Sequence, residues 1–235
     1  GWMLLSYKKK VEASSTLEGY PTENAVNEDI RTWWSAKTAD KGEFMTVDLD
    51  RNSKVYAIQV NFADQDATAL GKSDSIYYQY RIEESQDGIT WNLLVDKSEN
   101  KADAPNDYIQ LDKPVDARYI RITNIYFPSG KFSISGLRVF GKADKPVPAT
   151  AQFTELTRNN DNRRTVSLSW SKVNDATGYN IRFGTQKNKL YHNYLVYEDN
   201  KVSINILNAD QTYYFAIDSF NEAGVTIGKE IKTIQ

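Results

Sequence analysis

The chain has no cysteine in its 235 residues, so no disulfide holds the fold and no thiolate can serve as nucleophile or metal ligand. It has one histidine, His192, which leaves no Cys–His pair for covalent catalysis. A lone histidine beside tyrosines is more often a surface or packing residue than a ligand. Neither sign of charge dominates: 29 Lys and Arg stand against 31 Asp and Glu, for a net charge of −2. A nucleic-acid binder needs a basic face to neutralise phosphates, and the one basic run, Lys8-Lys9-Lys10, is too short to make one. No apolar stretch approaches the roughly 20 residues that cross a bilayer as a helix. Helical periodicity is missing, as are G-x-S-x-G, H-E-x-x-H and phosphate-loop motifs. With 31 acids, carboxylate pairs of the kind that hydrolyse glycosides occur by chance, so none is assigned a catalytic role. The expectation is a non-catalytic chain with no nucleic-acid partner, no membrane span and no signal for an oligomer.

What is present is alternation. Hydrophobic residues make up 40% of the chain and aromatics 12%, with 15 Tyr and 5 Trp, enough for packed cores and for sugar-stacking surfaces. Val55, Ile58, Val60 and Phe62 mark a strand face, with Gln59 and Asn61 between them. Ile120 and Ile122 alternate with Arg121 and Thr123, and Val166, Leu168 and Trp170 with Ser167 and Ser169. Tyr213, Phe215, Ile217 and Ser219 repeat the pattern. With turn signals every ten residues or so, this is an all-β chain. The segment 142–148, with Pro146 and Pro148, reads as an extended linker between two β units.

The stretch Tyr80-Arg-Ile-Glu-Glu-Ser-Gln-Asp-Gly-Ile-Thr-Trp91 reads as a hairpin, because Asp87-Gly88 favours a tight turn. Its S-x-D-G-x-x-W pattern resembles the central hairpin of the coagulation factor 5/8 C-type (discoidin) domain. Thr32, Trp34 and Ser35 match that family's T-x-W-S motif. Glu43–Leu49, Ala117–Ile122 and Ser135–Gly141 match three of its strands in order. The resemblance spans residues 8–141 and implies a jelly-roll β-sandwich that binds sugars, as in carbohydrate-binding module family 32. Trp34 and Trp91 fall on core positions. Ile134 and Leu137 break the inward phase, which predicts a bulge near Gly136.

Trp2–Tyr7, Ser14–Glu18, Asp40–Glu43 and Asn61–Asp66 resemble the subgroup that follows the catalytic domain of glycoside hydrolase family 43, the xylosidases and arabinofuranosidases of polysaccharide-degrading bacteria. Residues 1–7, which carry no visible signal peptide, would then be the exit of that preceding domain, itself a partner. The implied setting is secreted, periplasmic or on the cell surface. Residues 149–235 resemble a fibronectin type III, immunoglobulin-like β-sandwich, with Leu168-Ser-Trp170 on its second strand and Tyr213 placed for a tyrosine corner.

The discoidin resemblance implies ligand loops at one end of the sandwich: Glu28–Trp33, Ala63–Ser75, Lys97–Asp107 and Tyr126–Lys131. Recognition of an oligosaccharide or polysaccharide needs rings for the apolar sugar face and planar polar groups for the hydroxyls. Trp33, Tyr126 and Phe127 are the candidate rings; Arg31, Asp64, Asp66 and Lys131 are the candidate polar partners. Trp33 should point away from Trp34, since neighbours on a strand face opposite sides, and can equally be a cover for the sandwich edge. The same resemblance implies a structural Ca²⁺ beside the first of these loops, with Asp29 and Thr32 on ligand positions. Asn27 stands where an Asp is usual and Gly136 where a Glu is usual, which weakens that site. The competing reading of the whole chain is structural: a module that packs on and spaces a catalytic domain without binding sugar.

Overall fold

The computed structural model describes residues 1–67 and 76–235. They form two compact units, Trp2–Asp144 and Lys145–Gln235. Among the described residues the only helical element is a 3-10 turn, Thr22–Ala25; the rest of the regular structure is strand.

The first unit contains β1 (Met3–Leu4), β2 (Lys10–Ala13), β3 (Trp34–Ser35), β4 (Phe44–Phe62), β5 (Gln79–Ser85), β6 (Asn92–Asp96), β7 (Asn106–Tyr126) and β8 (Ser133–Ala143). The antiparallel order is β1-β8-β4-β7-β5-β6, with β2 on β4 and β3 on β8. β4 and β7 run the length of the unit, and their mutual register breaks between Asp48 and Ser53. There Asp50 takes a left-handed backbone, φ 76°, which bends the ladder. The apolar faces of both halves meet in one core that includes Met45, Val47, Ile58, Val60, Ile82, Ile120, Ile122 and Leu137. This is a jelly-roll sandwich.

Local chemistry explains the irregular places. Asn61 pairs with Gly136 but Phe62 with Ile134, so Ser135 is the extra residue of a bulge and both Ile134 and Leu137 face inward. The same device in the β4–β8 ladder, where Val55 pairs with Gly141 and Ala57 with Phe140, explains why Val55 and Ile58, three apart, share the buried face. At the β5–β6 hairpin Asp87 Oδ1 accepts from the Ile89 and Thr90 amides, and Gly88 has φ 77°. Glu43 gathers the start of β4: its carboxylate accepts from the Ser14 and Ser15 hydroxyls and from the Thr38 amide and hydroxyl. Burial alone would raise its pKa, but these hydrogen bonds outweigh it and hold the carboxyl below its ordinary value.

Trp34 is fully buried, its indole N–H donating to Thr16 Oγ1 at 3.2 Å. Trp91 corrects the expectation of a second core indole: it is only half-buried. Its ring lies against the Arg121 guanidinium at 4.1 Å, and Phe44 takes the same cation at 4.5 Å. The cation needs water at its edge, so the stack stays at the surface. Residues 1–7 are knitted into this unit, with Met3 and Leu4 paired to Gly141 and Phe140 and Leu5 buried. β8 also extends past residue 141, Lys142 pairing with Lys54 and Ala143 with Ser53.

The second unit contains β9 (Phe153–Arg158), β10 (Val166–Trp170), β11 (Gly178–Gly184), β12 (His192–Tyr197), β13 (Lys201–Ile204), β14 (Tyr213–Asn221), β15 (Gly224–Thr226) and β16 (Lys232–Ile234). One sheet has the order β13-β10-β9, the other β12-β11-β14-β15 with β16 on β14, and both feed one core around Trp170, Ile181, Phe183 and Phe215. The Tyr213 hydroxyl accepts from the Asn208 amide at 2.9 Å, which is the tyrosine corner. The stretch before β9 is held rather than loose. Asn221 donates to Pro146 O at 2.9 Å, and Lys145 is paired with Asp175 and Glu222.

Two outcomes follow from this packing. Trp34→Ala should cost about 3–5 kcal/mol, as expected for a buried aromatic truncation, and Trp91→Ala about 1 kcal/mol, both read from urea unfolding. Glu43→Gln should lower stability at neutral pH by about 1–2 kcal/mol. Because the folded pKa is depressed, the Glu43 contribution is present above the ordinary carboxylate range and is lost as pH falls through the lower folded value, so the two proteins should converge in acid.

Candidate functional site

Among the described residues, the loops at one end of the first unit are tied together by Gln65, a residue that composition and motif do not single out. Its side chain is buried, its Oε1 accepts the Trp33 indole N–H at 3.0 Å, and its Nε2 donates to Asp66 Oδ1 at 3.1 Å. Its backbone oxygen accepts the Lys131 amide at 2.9 Å. Asp66 and Lys131 then form an ion pair. Three residues named from the sequence, Trp33, Asp66 and Lys131, are thus brought to one place by a fourth. Approach of the two loops requires Gly130: at φ 69°, a Cβ there would lie 2.0 Å from Gln65 O.

Trp33 is half-buried and stacks on Tyr20, with ring centroids 5.4 Å apart and planes 24° apart. Trp34, its neighbour, is buried, so the two point to opposite sides. The Lys131 hydrogen bond holds the Asp66 carboxyl below its ordinary pKa, so Asp66 is a carboxylate at neutral pH. The arrangement sets a half-buried indole, stacked on Tyr20, in one network with a carboxylate that accepts and an ammonium that donates hydrogen bonds.

The other sequence candidates separate. Tyr126 is half-buried and packs against Tyr77 at 4.9 Å, a second ring pair at the end of β7. Phe127 corrects the expectation of a stacking ring: it is 8% exposed and sits in T-shaped contact with Phe62, Tyr78 and Phe132. It is a core residue because the chain turns inward there to close the loop end. Asp64 is exposed, and with Asp103 its charge adds to burial in raising the Tyr78 hydroxyl to about 12, so that hydroxyl stays protonated. Arg31 is turned onto its own loop, its Nε and Nη2 donating to the two oxygens of Asp29 at 2.9 and 3.1 Å. The 68–75 part of the Ala63–Ser75 loop lies outside the described residues.

The loop that the resemblance assigns to calcium is filled by its own hydrogen bonds. Asn27 Oδ1 accepts the Asp29 amide, and Asn27 Nδ2 donates to Thr32 Oγ1 at 3.0 Å. Thr32 Oγ1 in turn donates to Asp29 O at 3.1 Å. Calcium needs six to eight oxygens turned toward one point. Here the Asp29 carboxylate is taken by Arg31 and that of Glu28 by Arg138, and an amide N–H₂ points at the hydroxyl. Among the described residues no group of three or more His, Cys, Asp or Glu is placed to hold a metal ion. The residues present do not fit the ion.

The loop geometry generates two expectations. Thermal melts in Ca²⁺ and in a chelator should give the same midpoint; a midpoint raised by Ca²⁺ would mean that the loop rearranges to bind it. Gly130→Ala should destabilise the first unit by about 1–3 kcal/mol, since the added methyl meets backbone at a left-handed residue.

Comparison with known proteins agrees with this architecture. The F5/8 type C domain family matches residues 10–135. A solved chitosan-binding module 1 from the chitosanase/glucanase of Paenibacillus sp. IK-5 is 20% identical with a TM-score of 0.50, over 60% of this chain and 100% of that one. The family 32 carbohydrate-binding module of C. perfringens NanJ, in complex with galactose, is 23% identical with a TM-score of 0.48, over 60% of this chain and 99% of that one. No curated protein sequence matches. With more than half of its length matched and the jelly-roll sandwich in place, the chain belongs to the F5/8 type C domain family.

Proposed function

We propose that the first unit is a carbohydrate-binding module that takes a neutral oligosaccharide at its loop end. The observation that carries this is the convergence of Trp33, Asp66 and Lys131 on Gln65. It sets a fixed indole next to an ion pair, the two elements that recognise the apolar and hydroxylated faces of a sugar. Trp33 supplies the stacking face, and Asp66 accepts from hydroxyls while Lys131 donates to them. Tyr126, with Tyr77, borders the same group of loops. Family membership supports the class of ligand, and the solved relatives named above include modules that bind chitosan and galactose.

The chain itself carries out no reaction. It serves a glycoside hydrolase resembling family 43, outside the cell or in the periplasm, by holding polysaccharide near the active site and so raising the local substrate concentration. Among the described residues no helix is long and apolar enough to cross a membrane. The second unit is a fibronectin type III domain, supported by its two-sheet order, its core Trp170 and its tyrosine corner.

Titration calorimetry with xylo-, arabino- and galacto-oligosaccharides tests the reading. At least one should bind, and Trp33→Ala should weaken it by about 1 kcal/mol, roughly fivefold in Kd. Lys131→Ala should weaken it by a similar factor. Binding unchanged in the double variant would show that the loop end is the wrong surface. Absence of heat with every sugar would favour the spacer reading.

A further inference from the structure

We infer that the first unit carries a second glycan-binding surface, a polar groove on its outer sheet face between the Glu28–Ile30 loop and strands β4, β7 and β8. The groove measures about 480 Å³ and is lined by Glu28, Ile30, Gln59, Asn61, Asn106 and Arg138, with Ser135 and Gly136. That size falls within the roughly 300–1,000 Å³ of small-ligand sites. It exists because of the bulge: Ser135 is the unpaired residue, and Gly136 beside it puts no side chain over Asn61. A Cβ at position 136 would lie 2.8 Å from Asn61 Nδ2.

The polar groups in the groove are oriented, not merely present. An arginine only donates, so Arg138 Nη1, 3.1 Å from Gln59, fixes that amide with Oε1 toward the guanidinium. Gln59 Nε2 then donates to Asn61 Oδ1 at 3.0 Å, which turns the Asn61 N–H₂ outward. Asn61 Nδ2 and the whole Asn106 side-chain amide make no hydrogen bond among the described residues. Asn61 and Asn106 stand opposite each other in the β4–β7 ladder, so the unused donors and acceptor share one row. The next row along the same face pairs Gln59 with Tyr108, whose ring is 51% exposed.

Charge selects the ligand. Among the described residues Arg138 is the only cation lining the groove, and it is neutralised by Glu28, with Nη2 to Oε1 at 2.7 Å. A groove of aligned amides without net charge, next to an exposed ring, fits a neutral hydroxyl-rich chain and offers nothing to phosphate or to an acidic peptide. Two planar amides side by side exchange paired hydrogen bonds with vicinal hydroxyls, and Tyr108 offers the apolar face. The ligand class rests on the same reading as the loop end, and Glu28, Ile30 and Asn106 belong to two of the loops named there, but Trp33, Asp66 and Lys131 do not line the groove. Two weak surfaces on one module would hold a polymer more firmly than either alone.

The test is an NMR titration of the whole chain with neutral hexasaccharides of xylose, arabinose and galactose. Side-chain amide signals of Asn61 and Asn106 should move, and should still move in Trp33→Ala. Asn106→Ala, which removes an exposed amide without a partner, and Gly136→Ala, which displaces the Asn61 amide, should each weaken this response by about fivefold or more while leaving the melting point nearly unchanged. Shifts at Trp33 with none at Asn61 and Asn106 would overturn the groove and leave the loop-end site standing. Groove shifts without any at Trp33 would support the groove and remove the loop-end site. Groove shifts that survive both Asn106→Ala and Gly136→Ala, or no shift with any sugar, would overturn the groove.

Discussion

Six aromatic rings at one end of the first sandwich set the position of nearly everything that surrounds them. Phe62 stacks on Tyr78 at 4.5 Å and meets Tyr80, Phe127 and Phe132 at a steep or tilted angle. Phe132 in turn receives Trp34 edge-on at 5.6 Å, with planes 89° apart. The rings stand at the roots of the loops: Trp34 follows the acidic loop, Phe62 precedes Gln65, Tyr78 precedes β5 and Tyr80 lies in it, and Phe127 and Phe132 flank Gly130. Edge-to-face pairs add roughly 0.5–1.5 kcal/mol each to the burial of large apolar area, so the cluster is a rigid base. On that base Gln65 can hold Trp33, Asp66 and Lys131 with three hydrogen bonds of 3.0, 3.1 and 2.9 Å. Loops held in this way need no ligand to order them, which favours their use as the proposed recognition surface.

Most of the scaffold was legible from sequence because period-2 alternation is a direct record of which face is buried. The breaks in alternation were equally readable. Ile134 and Leu137 could share a face only with one residue added, and Ser135 is that residue. Tyr213 was readable because its corner depends on a short, local contact with Asn208. Trp91 was not readable, since the cation that draws it to the surface is Arg121, 30 positions away on another strand. Phe127 was misjudged for a related reason. An aromatic in a loop looks available, and only the inward turn of the chain, packed on Phe62 and Tyr78, makes it core.

The candidate site shows a sharper limit. Trp33, Asp66 and Lys131 could be named by type, as a ring and two polar groups in loops, but their convergence could not. Gln65 joins them through its buried amide and its backbone oxygen, and a lone glutamine in a loop gives no signal in one sequence. The acidic loop shows the opposite case. Asn27 in place of a carboxylate was visible at once, and the structure gives it a consequence: an amide that bonds Thr32 directly and leaves Asp29 to Arg31. Among the described residues the Gln65 platform and the sheet-face groove each pair their cation with a carboxylate, Lys131 with Asp66 and Arg138 with Glu28. That suits a ligand that is polar but uncharged.

The central claim is that a pre-ordered indole at the loop end receives a sugar. The chain has five tryptophans, and so five indole N–H signals. Trp34 and Trp170 are buried, Trp91 lies on the far hairpin with Arg121, and Trp2 stacks on Tyr56, so among the five only Trp33 is tied to the loop platform through Gln65. Titration of the isotope-labelled chain with oligosaccharide, followed on those five signals, is therefore the most direct measurement. The account predicts that the Trp33 signal shifts progressively and saturably while those of Trp34 and Trp170 stay still. A stationary Trp33 signal, at sugar concentrations where binding is seen by heat or by other resonances, would contradict it.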